Sequence, residues 1–481
     1  VPSRVPSLTP SRAPSTVPSL VPSRVPSTVP SLIPSAVPSL APSSVPSSAV
    51  ISNAYAAVNS FLCNTPTLRT AVEGTYGTIA SWTFAASVTS FEGLFDKARV
   101  GNNCADADYQ AFNEDISGWK FPGVLSMATM FQDATSFNHD ISSWDVGKVT
   151  TMDSMFKGST AFNSPIFTST AKVTTMESMF RGATSFNQDV SSMSVGEVTS
   201  VASMFNGATV FNSPIFANTA KVTSTLSMFR DATSFNQDVS TMTVGEVTSM
   251  GYMFYGATSF NSPIFTNTAK VTGMYEMFYG ATSFNQDVSS MSVGEVTTMN
   301  SMFRGSTAFN SPIFTSTEKV TNMVSMFRDA TSFNRPIFTN TAKVTTMENM
   351  FDGATSFNQD VSTMSVDEVT TSRSMFKGAT SFNSAIFTNT AKVATTAYMF
   401  QDATSFNQDV SGMNVGAVTT MEQMFQGASA FNQDLCAWGT VMAAAPQPSL
   451  TNMFASTSCA ATLDPNLSST PVAPLCKATC P

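Results

Sequence analysis

The sequence predicts an α/β solenoid, a stack of about fourteen rungs with a short strand and a short helix in each. Three observations predict it. A Met-Phe pair recurs fourteen times between Phe131 and Phe454, at intervals of 24 or 25 residues until a last interval of 29. A fixed period in the twenties marks a repeat stack. Within a repeat the apolar spacing changes character. Val198, Val201, Met204, Phe205 and Ala208 follow three-and-four spacing, the pattern of one helix face. Asp189 to Val195 has small and β-branched residues without that period, and reads as a strand.

Local signals support this division. Thr174 with Glu177, Thr345 with Glu348 and Thr419 with Glu422 have capping-box spacing. Gly182, Gly207 and Gly256 follow the marker Phe by two residues and suit a helix stop. One strand and one helical turn per rung is the geometry of a leucine-rich repeat. Asn187, Asn236 and Asn285 are expected to form an internal ladder that satisfies backbone groups at a bend.

Two rung types alternate. Type A reads FNQDVSSMSVGEVT from Phe186, and type B reads FNSPIFTNTAKVT from Phe260. Type A carries an acid (Asp189, Asp238, Asp287, Asp360, Asp409) where type B carries Pro (Pro165, Pro214, Pro263, Pro312). The alternation fails once, at the type B doublet of Phe303 and Phe327. A stack tolerates this because each rung touches only its neighbours.

Taken in order, residues 1–48 are twelve Pro-Ser tetrapeptides. Proline every fourth residue excludes a helix or packed sheet, leaving an extended or disordered stalk. Residues 49–87 read as an N-terminal cap, with a short helix at Asn53–Leu62 and a degenerate strand at Ile79–Trp82. The solenoid spans 88–454, with a loop around Val100–Gln110. Cys436 and Trp438 read as strand residues, and 455–481 as a C-terminal cap and tail. At ~4.8 Å per rung the stack is expected to extend about 70 Å.

The net charge is −9 and only 11% of residues are charged. With no basic stripe visible, that argues against nucleic acid. No apolar run is long enough to span a membrane. No charged-then-apolar leader precedes Val1, so any signal peptide is expected to have been removed or to lie outside this sequence. Six cysteines fall at the two ends and none in the regular rungs. That distribution fits disulfides in an oxidising setting. The expected pairs are Cys63–Cys104, Cys436–Cys459 and Cys476–Cys480, with a swap among the last four or a zinc site as alternatives. Asn466-Leu-Ser468 is a glycosylation candidate.

The phrases FNQDVSSMSVGEVT and FNHDISSWDVGKVTTMDSMFKGS closely resemble the repeat of BspA-like leucine-rich-repeat surface proteins over about residues 88–454. The Trp of that repeat stands at Trp119, Trp144 and Trp438, and is Met at Met193, Met242, Met291, Met364 and Met413. The Ser/Pro tract resembles stalks of algal and diatom surface proteins. The resemblance implies a secreted or surface-anchored protein used in adhesion or recognition, with a protein or glycan ligand at a cell surface or matrix. A structural wall or matrix component is the competing function. A mineral- or ice-binding face built from Thr266–Thr268 and Thr339–Thr341 is the third.

Catalytic and cofactor chemistry is not expected. His139 is the one histidine and replaces a type A Gln. The type A acids recur every second rung, too far apart to share a metal ion. The residue before each Val-Thr forms an expected charge ladder: Lys172, Glu197, Lys221, Glu246, Lys270, Glu295, Lys319, Lys343, Glu368, Lys392. It should fix register, and the Lys319/Lys343 doublet should be the weakest regular interface, relieved at low salt by Lys343→Glu.

Overall fold

The computed structural model describes residues 49–63, 66–96, 104–314, 316–444, 447–468 and 475–477. The expected stalk at 1–48 lies outside them. The repeats do form a solenoid, but each rung is built differently from the expectation. A single column of parallel bridges runs from Ser90 through Ser126, Thr151, Thr175 and Ser200 to Ser449, one bridge position per rung. It falls just after Val-Thr, inside the stretch read as helix. Among the described residues no helix occurs between Gln110 and Cys436. Asp189 to Val195 is likewise a run of turns rather than a strand.

The backbone explains this. In the rung of Phe205, the N–H groups of Val201, Ser203, Phe205 and Gly207 donate to the carbonyls of Ser224, Leu226, Met228 and Arg230 in the next rung. The intervening N–H groups of Met204, Asn206 and Ala208 close turns onto residues three back. An α-helix would consume all of these donors within itself. Alternate use leaves half of them to stitch the stack. The geometry requires positive φ at Ser203 (56°) and Gly207 (73°), as at the third position of a type II turn. Glycine takes that conformation freely, whereas it costs a serine roughly 1–2 kcal/mol.

The glycines at this position therefore serve tandem turns, not helix stops. The capping-box threonines are also reassigned. Thr174, Thr345 and Thr419 donate their hydroxyls to the carbonyls of Thr150, Thr321 and Ala394 one rung back.

The apolar stripe itself is core: Val198, Val201, Met204, Phe205 and Ala208 are fully buried. The marker phenylalanines form one column, with neighbouring ring centroids 5.6 Å apart at Phe205–Phe229 and Phe229–Phe254. The Phe-Asn phenylalanines form a second, 5.9 Å apart at Phe211–Phe235. Within a rung the two rings stack closely, at 3.9 Å for Phe229–Phe235 and 4.1 Å for Phe303–Phe309. Each buried ring contributes about 1.5–3 kcal/mol by leaving water, and stacking adds about 0.5–1.5 kcal/mol.

The asparagine ladder exists but lies on the exterior. Asn187, Asn236 and Asn285 are exposed, yet the Asn187 Oδ1 accepts the backbone N–H of Asn212, and Asn212 Oδ1 accepts that of Asn236. The ladder passes through both rung types, from Asn113 to Asn432. His139 belongs to it: its Nε2 lies 2.9 Å from the Asn113 carbonyl, where Gln188 Nε2 meets that of Asn163.

The alternation of types has a donor logic. Val190, Val239 and Val288 of type A donate N–H groups to the carbonyls of Pro214, Pro263 and Pro312 in the following type B rung. Proline accepts there without being asked to donate. The type B doublet gains contacts of its own: a bridge from Ser316 to Asn340 and stacked rings at Phe314–Phe338 (6.2 Å). Like-on-like packing thus works against the expectation that this junction is the weakest.

The ends are capped. Helices α1 (Ala54–Leu62) and α2 (Pro66–Tyr76) cover the first rung, and the Asn53 side chain accepts the Ala56 N–H as the cap of α1. Trp82 is fully buried against Phe61 (5.7 Å) and stacks on Trp119 (5.9 Å). Ile79–Ser81 is a 3-10 turn rather than a strand. Within the loop expected at Val100–Gln110, Asp106–Gln110 forms α3. Cys436–Ala444 forms α4, correcting the strand expected at Cys436 and Trp438.

Cys63 pairs with Cys104, as expected. Cys459 pairs with Cys476, so the expected Cys436–Cys459 and Cys476–Cys480 pairs give way to the alternative, a swap among the last four cysteines. Cys436 is also disulfide-bonded, and Cys480 lies outside the described residues.

The type A acids start Asx turns. Asp189 Oδ1 accepts the Ser191 N–H at 2.8 Å, and Asp238, Asp287, Asp360 and Asp409 repeat the contact. The hydroxyl and N–H of the serine two residues on hold Asp189, Asp287 and Asp360 below the usual carboxylate range. At Asp409 the serine N–H leads. A carboxylate whose folded pKa is depressed stabilises the fold above its unfolded value and loses that contribution as pH falls through the folded one. Melting temperature is therefore expected to fall as pH drops below about 4. In a variant with Asp→Asn at these four positions the fall should flatten, as thermal melts across pH would show.

Candidate recognition face

The bridge column defines one face of the solenoid. Its backbone N–H groups are taken up by turns within the rung or by the next rung, so side chains carry its chemistry. Core and ladder positions barely change from rung to rung. The positions three before the marker Phe and one after it change freely, and the position two before it is Ser in seven of the fourteen rungs and varies in the rest. In the rung of Phe205 they are Ala202, Ser203 and Asn206. In the rung of Phe254 they are Gly251, Tyr252 and Tyr255, and in that of Phe278 they are Tyr275, Glu276 and Tyr279. Five of the eight tyrosines of the chain lie in these columns, counting Tyr398.

The four central tyrosines are half-buried and packed together. Tyr255 and Tyr279 stack at 4.6 Å, and Tyr252 meets Tyr275 edge-on at 5.1 Å. Arg230 lies over Tyr255 at 4.6 Å, and Arg304 over Tyr279 at 5.2 Å. Desolvation, with the Glu276 carboxylate assisting, raises the Tyr252 phenol. Desolvation, followed by Tyr279, raises that of Tyr255. Both therefore stay protonated as hydrogen-bond donors through the physiological range. Sequence reasoning misses this cluster. The available signal is the departure of two rungs from the repeat, not the repeat itself.

The expected charge ladder is present as separate pairs. Lys221–Glu197, Lys270–Glu246, Lys319–Glu295 and Lys392–Glu368 each close at 2.6 Å. Every pair joins a type A Glu to the Lys of the following type B rung. Among the described residues Lys172 and Lys343 make no ion pair. All eight paired side chains are about half-exposed. Each pair therefore contributes at most ~1 kcal/mol.

This directionality moves the best test of the ladder from Lys343 to Lys148. Lys148 occupies a type A rung, and its Nζ donates to the Pro122 carbonyl. Lys148→Glu would place a Glu one rung before Lys172, in the observed sense. A gain of at most ~1 kcal/mol is expected at low salt, vanishing as salt rises. Chemical melts of the variant at two ionic strengths would show it, and an unchanged midpoint at low salt would refute the pairing.

Asn466 is exposed, with its Oδ1 accepting the Ser468 N–H. Among the described residues no group of acids, histidines or cysteines could hold a metal ion, and no helix is long and apolar enough to cross a membrane. A 370 Å³ cleft lined by Thr83, Trp119, Phe121 and Asp145 lies at the N-terminal end, away from the tyrosines.

No curated protein matches the chain. Among solved structures, a leucine-rich repeat protein from Eubacterium ventriosum is similar at 13% identity, with 64% of this chain and 80% of that chain covered and a TM-score of 0.31. The Drosophila Toll–Spatzle complex is similar at 12% identity, covering 59% and 46%, with a TM-score of 0.24. The functional domain of InlJ from Listeria monocytogenes, which includes a cysteine ladder, is similar at 11% identity over 65% and 66%, with a TM-score of 0.15. The family model described as "Mycoplasma protein of unknown function, DUF285" matches seven overlapping stretches, 72–169, 149–217, 167–266, 216–316, 263–340, 314–388 and 387–464. Those stretches run through the cap, both rung types and the type B doublet, so the chain belongs to the DUF285 repeat family.

Proposed function

We propose that this protein is a non-enzymatic recognition or adhesion module, extracellular or at a cell surface, that presents its solenoid on the Ser/Pro-rich segment 1–48. The observation that carries this reading is the strip of freely varying side chains on a scaffold whose core and ladders repeat almost unchanged. Recognition surfaces vary where a rigid scaffold tolerates it. Disulfides at both ends fit an oxidising environment. The resemblance to BspA-like surface repeats points the same way.

A mineral- or ice-binding face is disfavoured by the inward turn of Thr268 and Thr341, which are buried and bond to the carbonyls of Ser292 and Ser365. The test is a binding screen of the full chain against immobilised glycans and matrix proteins. Saturable binding to one class supports recognition. Failure to bind any of them, with the protein retained in the insoluble wall fraction, would favour the structural alternative.

A further inference from the structure

We infer that the tyrosine cluster of the Phe254 and Phe278 rungs is a binding site for a linear, uncharged polysaccharide. The inference rests on the recognition reading above and gives it a location and a ligand class.

The substitutions at the cluster are coordinated. Gly273 is the one glycine in the bridge column from Ser90 to Ser449, where Ser, Thr or Asn otherwise stands. Gly251 is likewise unique in its column. Both make room for one ring. A Cβ on Gly251 would lie 2.5 Å from the Tyr275 ring, and one on Gly273 would lie 3.2 Å from it. Tyr275 therefore packs across the backbone of two rungs, and its ring is half-buried. Two glycines and four tyrosines change together in adjacent rungs, while the core beneath them keeps its Met and Phe residues. The core demands none of the tyrosines, and the glycines answer only to the Tyr275 ring.

A flat aromatic face flanked by fixed polar groups suits a sugar ring, whose C–H face is apolar and whose rim is hydroxyl. Tyr275 supplies the face and Tyr252 a wall beside it. The column Arg230–Tyr255–Tyr279–Arg304 supplies phenol and guanidinium donors along one side. Glu276 supplies an acceptor, and Asp231, which meets the Arg230 Nε at 3.4 Å, a second. Two arginines balance two carboxylates, so the cluster has no net attraction for a charged polymer.

The altered positions span two rungs, well below the roughly 20–30 residues that a stable protein interface engages on each side. The N–H groups of Tyr252, Phe254 and Gly256 already donate to the next rung, so no edge is open to an added peptide strand. A chain of sugar rings running along the stack needs neither.

The experiment uses the full chain with cellohexaose, chitohexaose, laminarihexaose and mannohexaose, measured by calorimetry. Polygalacturonate serves as the anionic comparison. Saturable binding of one neutral hexasaccharide is expected. Tyr275→Ala should weaken it at least about tenfold, as expected for a central aromatic contact, with the melting temperature held near that of the parent. Glu276→Gln should weaken it less, and Leu463→Ala, at an exposed residue beyond the last rung, should leave it unchanged. The inference is overturned if no neutral hexasaccharide binds, if only polygalacturonate binds and salt abolishes it, or if a well-folded Tyr275→Ala binds like the parent. Binding that survives Tyr275→Ala, or binding to a matrix protein alone, would overturn it while leaving the recognition reading standing. Absence of any ligand in both screens would remove that reading too.

Discussion

Replacing Phe278 by alanine is expected to destabilise the solenoid by about 3–5 kcal/mol, the cost of emptying a fully buried aromatic site. Phe278 is 0% exposed and touches three rings: Phe254 and Phe303 at 5.5 Å in its own column, and Phe284 at 3.9 Å in its rung. Those rings sit on backbone fixed by rung-to-rung hydrogen bonds, which limits collapse of the cavity. The Phe278 carbonyl, which accepts the Ser306 hydroxyl, is backbone and survives the change. The defect should therefore act through packing alone. Because rungs couple only to neighbours, it should also divide the stack into two segments of separate stability. Urea titration with hydrogen exchange would detect this as early loss of protection around the Phe254 and Phe303 rungs. A single cooperative transition with an unchanged midpoint would show that the ring columns contribute little.

Removing the Cys63–Cys104 bridge by a double Cys→Ser change is expected to cost about 3–4 kcal/mol on the chain-entropy account, confined at first to the N-terminal end. The two cysteines are 41 residues apart in sequence. The closed segment contains α2, the Trp82 turn and the first bridge position of the main column. Opening it frees α2, which Arg69 ties to Glu114 by a half-exposed contact at 2.8 Å. Water would then reach Trp82 and the stacked Trp119. The Cys459–Cys476 bridge joins cysteines 17 residues apart. It should act likewise at the other end with a slightly smaller effect, since it closes a shorter loop. Under reduction, hydrogen exchange should therefore rise at both caps before the middle of the array. Uniform loss of protection would show instead that the stack melts as one unit and that the bridges act on it as a whole.

How much of this is legible in the sequence depends on which interaction a residue serves. The period, the two rung types, the buried Val, Met and Phe positions, the asparagine ladder and the Cys63–Cys104 pair can all be read from the chain. Most of these report burial or repetition, and a periodic sequence makes those local. The helix cannot be read correctly. Three-and-four apolar spacing is shared by an α-helix and by tandem turns closing onto residues three back, and only the neighbouring rung decides between them. It takes the N–H groups of Ser203, Phe205 and Gly207, which a helix would have kept. The sense of the Glu–Lys pairs, the outward placement of the asparagines and the Cys459–Cys476 pairing are decided in the same way, by neighbours in space. The tyrosine cluster belongs with them. Tyr252, Tyr255, Tyr275 and Tyr279 are scattered along two repeats of the chain, and stacking adjacent rungs makes them one surface because equivalent residues of successive repeats must lie side by side.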